Sequence, residues 1–140
     1  MLIKQATREN TDAVLSCFQE LNKCGISYFS KKRTKSVIDK YCVAMAVQNL
    51  RVWGACAIKL DNTVLEIFAI AVVPDGQGYG VGRKLLGWAE IMAKETDLSV
   101  VIAHSYEFYG ARPFYQKLGY TEIEKKDTKE GTVLTFAKIV

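Results

Sequence analysis

Between Val72 and Glu90 the chain reads VVPDGQGYGVGRKLLGWAE, with Gly76, Gly78, Gly80 and Gly82 at alternate positions ahead of an amphipathic run. Glycine loses more backbone freedom on folding than any other residue, so this density points to a place where bare backbone is needed. A strand ending at Val73-Pro74, a glycine loop and then a helix start make a ready anion site. The free N–H groups of the first helical turn and the positive end of the helix dipole face the same spot. A backbone without Cβ atoms lets a diphosphate rest directly on those amides. Spacing removes two nucleotide loops: the residues five on from Gly76, Gly78 and Gly80 are Val81, Arg83 and Leu85, so no Walker A motif is present. A GxGxxG fingerprint fails too, because Val81 or Arg83 stands where its third glycine belongs. On composition alone, a glycine-rich turn with no ligand stays open. Upstream, Glu66 is the one charged residue in the apolar run VLEIFAIAV, eleven residues before Gln77.

These residues need elements to hold them. LIKQAT alternates like a strand, and Thr7 or Asn10 can cap a helix whose Val14, Cys17, Phe18 and Leu21 recur at helical spacing until Gly25. A second helix is expected from about Lys32 to Tyr41, with Val37, Ile38 and Tyr41 on one side. Three strand-like runs follow, YCVAMAV, RVWGACAIKL and TVLEIFAIAVV, parted by Asn49 and by the turn pair Asp61-Asn62, which predicts a meander. After the glycines, Val81, Leu85, Trp88, Ala89 and Met92 mark a helix to about Lys94. LSVVIAHS reads as a fully buried central strand, GARPFYQKLG as a helix ended by Gly119, and YTEIEKK and TVLTFAKIV as two last strands joined at Lys129-Glu130-Gly131. The order β-α-α-β-β-β-α-β-α-β-β predicts an α/β or α+β mixed sheet.

With 140 residues, no repeat and no linker-like tract, one domain over residues 1–140 is expected. At 49% hydrophobic and 24% charged, the composition is that of a folded globular protein rather than a disordered one. No stretch approaches a membrane span and the N-terminus lacks an apolar signal core, so no membrane partner and a cytoplasmic location are expected. The net charge of +4 is mild, and its one dense cluster is Lys31, Lys32, Arg33 and Lys35. That cluster suits a solvated face or an anionic ligand, and gives little ground for nucleic acid. Cys17, Cys24, Cys42 and Cys56 form no CxxC pair and His104 is the only histidine, so no metal site is expected and the thiols read as reduced.

Gln77-Gly78-Tyr79-Gly80-Val81-Gly82 fits the Q/R-x-x-G-x-G/A signature of the GCN5-related N-acetyltransferases, the GNAT superfamily. Ala111-Arg112-Pro113-Phe114-Tyr115-Gln116-Lys117-Leu118-Gly119-Tyr120 resembles that family's A-x-x-F-Y-x-K-x-G-F/Y segment. The two motifs stand in the family's order, and the likeness covers nearly all of the chain. The resemblance implies a single-domain GNAT fold, with a sheet splayed open between its fourth and fifth strands, flanked by about four helices, and acetyl-CoA in the cleft. It also implies that the backbone of Ile70, Ala71 and Val72 pairs with the pantetheine arm, and that amides from Gln77, Gly78, Tyr79, Gly80, Val81, Gly82 and Arg83 hold the pyrophosphate. A homodimer is common for this fold.

Acetyl transfer to an amine needs a neutral nitrogen and a proton for the departing thiolate. An alkylamine with a pKa near 10 is almost wholly protonated at neutral pH, so a base is useful. Glu66 is the candidate: alternation places it with Phe68, Ile70 and Val72, and an apolar setting favours a carboxyl that takes up a proton. Its offset from the glycine loop resembles that of the glutamate that acts as base through water in histone-type members; a glutamate on an exposed strand face, or one that only orders the amine, is the bland alternative. Tyr115 matches the family's proton donor to the CoA thiolate, against simple core packing. Many relatives carry asparagine where this chain has Phe108, which removes one polar cofactor contact. His104, at the end of the fifth strand, is either a hydrogen-bonded structural residue or part of a proton relay. The expected function is an N-acetyltransferase acting on a primary amine, small molecule or protein, by direct attack in a ternary complex. A non-catalytic acyl-CoA-binding or interaction module on the same fold is the alternative.

Overall fold

In the computed structural model, residues 1–22 and 28–140 are described. Strands β1 (Leu2–Gln5), β2 (Cys42–Gln48), β3 (Arg51–Leu60), β4 (Leu65–Val72), β5 (Val100–Tyr106), β6 (Thr121–Asp127) and β7 (Thr132–Ile139) form one sheet in the order β1-β2-β3-β4-β5-β7-β6. Helices α1 (Thr11–Phe18), α2 (Lys31–Lys40), α3 (Val81–Glu95) and α4 (Arg112–Lys117) accompany it. β4 and β5, joined through α3, are parallel, and the other neighbours are antiparallel. This is the mixed α/β sheet that the element order predicts.

Local chemistry explains most of the boundaries. Asn49 and Leu50 both take positive φ, 54° and 61°, and close the tight turn between β2 and β3. The Asp61 carboxylate accepts the N–H groups of Thr63 and Val64 at 2.7 and 2.8 Å, which fixes the β3–β4 turn. α2 begins at Lys31 because the Ser30 hydroxyl accepts the Arg33 N–H at 3.1 Å, so the basic cluster forms its first turns. α1 runs on into a 3₁₀ turn over Gln19–Leu21. The expected stop at Gly25, like Cys24, lies outside the described residues.

The sheet is packed on both faces. α3 buries Leu85, Leu86 and Ala89 against Ile58, Ile67, Val101 and Phe136, while Val14, Phe18 and Val37 of α1 and α2 meet Val43, Ala55 and Ala69. Each such large side chain contributes roughly 1.5–3 kcal/mol of burial.

β4 and β5 stay together for three rungs only, Leu65↔Val101, Glu66↔Ile102 and Ile67↔Ala103. Where they part, β4 is bulged: Ala57 pairs with Ala69 but Ile58 pairs with Ile67, leaving Phe68 as an extra residue. Two expectations are corrected here. Before the bulge Ile67 packs on the α3 side, and after it Ile70 and Val72 do so, while Phe68 packs with the α1 and α2 cluster. Glu66 therefore shares a face with Phe68 but not with Ile70 and Val72, since an extra residue inverts the alternation. LSVVIAHS is not fully buried either: Val101 and Ala103 are, whereas His104 is exposed because β4 has left its side.

Gly54 of β3 lies under α3, where an added Cβ would come within 2.9 Å of Val81 Cγ1 and 3.1 Å of the Ala71 carbonyl oxygen. Gly54→Val is expected to lower unfolding free energy by about 1–3 kcal/mol, measured by urea denaturation.

Candidate active site

The wedge between β4 and β5 opens into a cleft of about 1050 Å³. One wall is the backbone of β4 beyond Ile67, the floor is the glycine loop and the start of α3, and the far wall comes from β5 and α4. Along that wall of β4 the N–H and C=O groups have lost the β5 partner that the earlier rungs enjoy.

The alternating glycines divide into two pairs with different tasks. A Cβ on Gly76 would meet the Trp53 ring at 3.1 Å, and one on Gly82 would meet Phe114 at 3.0 Å, so both serve packing within the protein. Gly78 and Gly80 have φ of +86° and +80°, and an added Cβ would meet nothing within 4 Å. Those two open the floor of the cleft, and Gly80 is the residue from which α3 starts. The Gln77 side-chain amide donates to the Val72 carbonyl at 3.1 Å, tying the loop to the end of β4. Behind it, Arg51 makes two 2.8 Å bonds to Asp75, and its guanidinium lies 4.0 Å from the centre of the Trp53 ring. The Arg51 bond holds the Asp75 carboxyl below the usual range.

Nine of the ten residues expected beside a ligand line the cleft: Ile70, Ala71, Val72, Gln77, Gly78, Gly80, Val81, Gly82 and Arg83. Tyr79 is not in the lining, and it is 80% exposed. Phe108 is also outside, stacked on Tyr106 with ring centres 4.9 Å apart.

Tyr115 lines the opposite wall while the rest of its ring is core, stacked on Phe136 at 4.7 Å. Burial pushes its phenol well above the ordinary value, with Cys56 adding to the rise, so the hydroxyl keeps its proton throughout the neutral range. Glu66 is not part of the lining and its setting is not the apolar one expected. Register places Lys59 of β3 directly opposite, with Nζ 3.7 Å from Oε2, and His104 Nε2 lies 3.3 Å from Oε1. His104 does line the cleft, and its Nδ1 is 2.8 Å from Thr135 Oγ1 on β7.

Two of these partners had no place in the sequence reading. Lys59 was within reach of it, since counting outward from the Asp61 turn pairs 60 with 65 and 59 with 66. Thr135 was not, because nothing local says that β7 inserts between β5 and β6. Tyr109 also carried no signal; its hydroxyl donates to the Leu21 carbonyl and so bridges the two sides of the cleft.

The acetyltransferase (GNAT) domain model matches residues 12–138 of the chain. An aminoalkylphosphonate N-acetyltransferase of Salmonella typhimurium is 26% identical over 137 residues, 91% of this chain and 89% of that protein. A [ribosomal protein bS18]-alanine N-acetyltransferase of Haemophilus influenzae is 31% identical over 88 residues, 61% of this chain and 59% of that protein. Among solved structures, an aminoglycoside 6′-N-acetyltransferase complexed with coenzyme A superposes with a TM-score of 0.83 at 14% identity, over 99% of this chain and 97% of that one, a likeness of fold. The chain belongs to the GNAT acetyltransferase family. It is accordingly an acetyl-CoA-dependent N-acetyltransferase, and the alternative of a non-catalytic module has no support.

Proposed function

We propose that the wedge between β4 and β5 is the acetyl-CoA site and that a primary amine meets the thioester by direct attack near Ile67 and Phe68. The observation that carries this is the unpaired run of β4 backbone leading straight onto the open glycine floor. Ile70, Ala71 and Val72 offer amide and carbonyl groups to the amides of an extended pantetheine arm, as an added strand would. The loop from Gln77 to Gly82, with Arg83, offers amides to the pyrophosphate at the start of a 15-residue helix. The open space over Gly78 and Gly80 is what such a ligand requires. Gly80→Ala and Gly80→Glu share the backbone strain of a positive φ, so their difference isolates bulk and charge at the floor. Gly80→Glu is expected to bind CoA at least ~10-fold more weakly than Gly80→Ala by calorimetry, given the like-charge penalty at a phosphate site; equal affinities would remove the pyrophosphate assignment.

When bound, acetyl-CoA supplies an activated acetyl thioester. Tyr115 gives its phenolic proton to the departing sulfur, and the nitrogen's second proton restores it. Glu66 drives loss of the first proton from the arriving ammonium, at one remove, since it stands behind the lining. Tyr115→Phe is expected to cut kcat by ~10²-fold or more with the KM for acetyl-CoA little changed, measured as release of free thiol. An unchanged kcat, with chemistry shown to limit turnover, would take the acid role from Tyr115.

For the acceptor, we favour a primary amine that also bears an acidic group. Arg33 lies 4.0 Å over the ring of Tyr28, which lines the cleft, and Lys59 sits about the Tyr41 and Phe68 rings on the same side. The aminoalkylphosphonate relative is consistent with this class. In a thiol-release assay, aminomethylphosphonate is expected to exceed a polyamine in kcat/KM by ~10-fold or more, about 1.4 kcal/mol; a preference for the polyamine would reverse the choice. Cys17, Cys42 and Cys56 are free thiols, which suits a reducing compartment and places the reaction in the cytoplasm. No helix among the described residues is long and apolar enough to cross a membrane.

A further inference from the structure

Three strands place one polar side chain each at the point where the wedge begins. Glu66 comes from the middle rung of the β4–β5 pairing, His104 from the first position of β5 beyond it, and Thr135 from the residue of β7 directly opposite His104. The imidazole is the member that reaches the cleft: it lines the cavity, with 44% of its side chain exposed, whereas Glu66 and Thr135 lie behind it. Its ring is gripped at both nitrogens, Nδ1 at 2.8 Å from Thr135 Oγ1 and Nε2 at 3.3 Å from Glu66 Oε1. A histidine kept only for structure needs neither an anion behind it nor a free approach in front.

We propose that His104 is the group that takes the proton from the acceptor amine, with Glu66 and Thr135 as its positioning residues. This deepens the acetyltransferase proposal above and rests on it. In the resting enzyme Nδ1 carries the proton and donates it to Thr135 Oγ1, which leaves the Nε2 lone pair facing Glu66 and the cleft. The arriving ammonium transfers one proton to Nε2, so R–NH₃⁺ becomes R–NH₂ and the neutral imidazole becomes imidazolium. The new N–H then points at the Glu66 carboxylate, whose charge stabilises it, while Lys59 holds the other carboxylate oxygen. After acetyl transfer the exposed ring returns the proton to water. The carboxylate, imidazole and hydroxyl thus act at one remove from each other, which explains why Glu66 can promote deprotonation without lining the cavity.

His104 is the sole histidine of the chain, so its ring can be watched without interference and without any acceptor. Long-range ¹H–¹⁵N spectra of the neutral ring are expected to show the Nδ1–H tautomer in the wild type and a gain of the Nε2–H form in Thr135→Val. A wild-type ring in the Nε2–H form would overturn the proposal, because Nε2 would then be a donor to Glu66 with no lone pair for the amine. In turnover with the best acceptor of the thiol-release panel, His104→Asn is expected to lose ~10²-fold or more in kcat while the KM for acetyl-CoA stays within about twofold. Added imidazole is expected to restore part of the rate to His104→Gly. A His104→Asn enzyme that keeps wild-type kcat would sink the role of His104 and leave the acetyltransferase proposal standing. Failure of the wild type to bind acetyl-CoA would sink the latter instead.

Discussion

β4 is held to β5 by three rungs of parallel pairing and then released, and the release is tied to one surplus residue. Phe68 has no opposite number on β3, so β4 must bend there to keep its antiparallel register on both sides of it. A bent strand cannot follow a straight neighbour, and β5 turns instead to β7, with which it pairs along its whole length. The cleft is the gap between those two commitments. It stays open because α3 and its apolar contacts fill one side of the sheet and α1 and α2 the other, leaving neither strand free to swing back.

The glycine loop lies at the end of the strand that was bent. Its position is secured by contacts that have nothing to do with a ligand: Arg51 on Asp75, Trp53 under Gly76, Phe114 over Gly82 and the Gln77 amide on Val72. Only Gly78 and Gly80 are left with positive φ and space above them. The loop is therefore presented already shaped, and ligand binding there has little ordering entropy to overcome.

The polar groups of the site follow from sheet register. Lys59 faces Glu66 because a turn anchored by Asp61 sets the count across β3 and β4. His104 faces Thr135 because β7 lies beside β5, and it reaches Glu66 because β5 runs parallel to β4 for just long enough. Four residues from four strands thus meet without any being near another in sequence, apart from the Lys59–Glu66 hairpin pair. Tyr115 arrives from α4, and its stacking on Phe136 of β7 couples the opposite wall to the same strand.

Much of this was legible in the chain. Periodicity and turn residues placed the strands and helices to within a residue or two, because 3.6- and 2-residue repeats and Asp, Asn and Gly turns are local properties. The two motifs, around Gly80 and Tyr115, pointed to a cofactor cleft and to the family. The face that Glu66 presents was not legible, since a bulge is a relation between two strands and one extra residue inverts every side chain beyond it. Nor were the partners of His104, since β7 comes between β5 and β6 through a long-range pairing that no window of sequence contains. The local code therefore determined which residues the site draws on, and the tertiary pairing of β3, β4, β5 and β7 decided which of them touch.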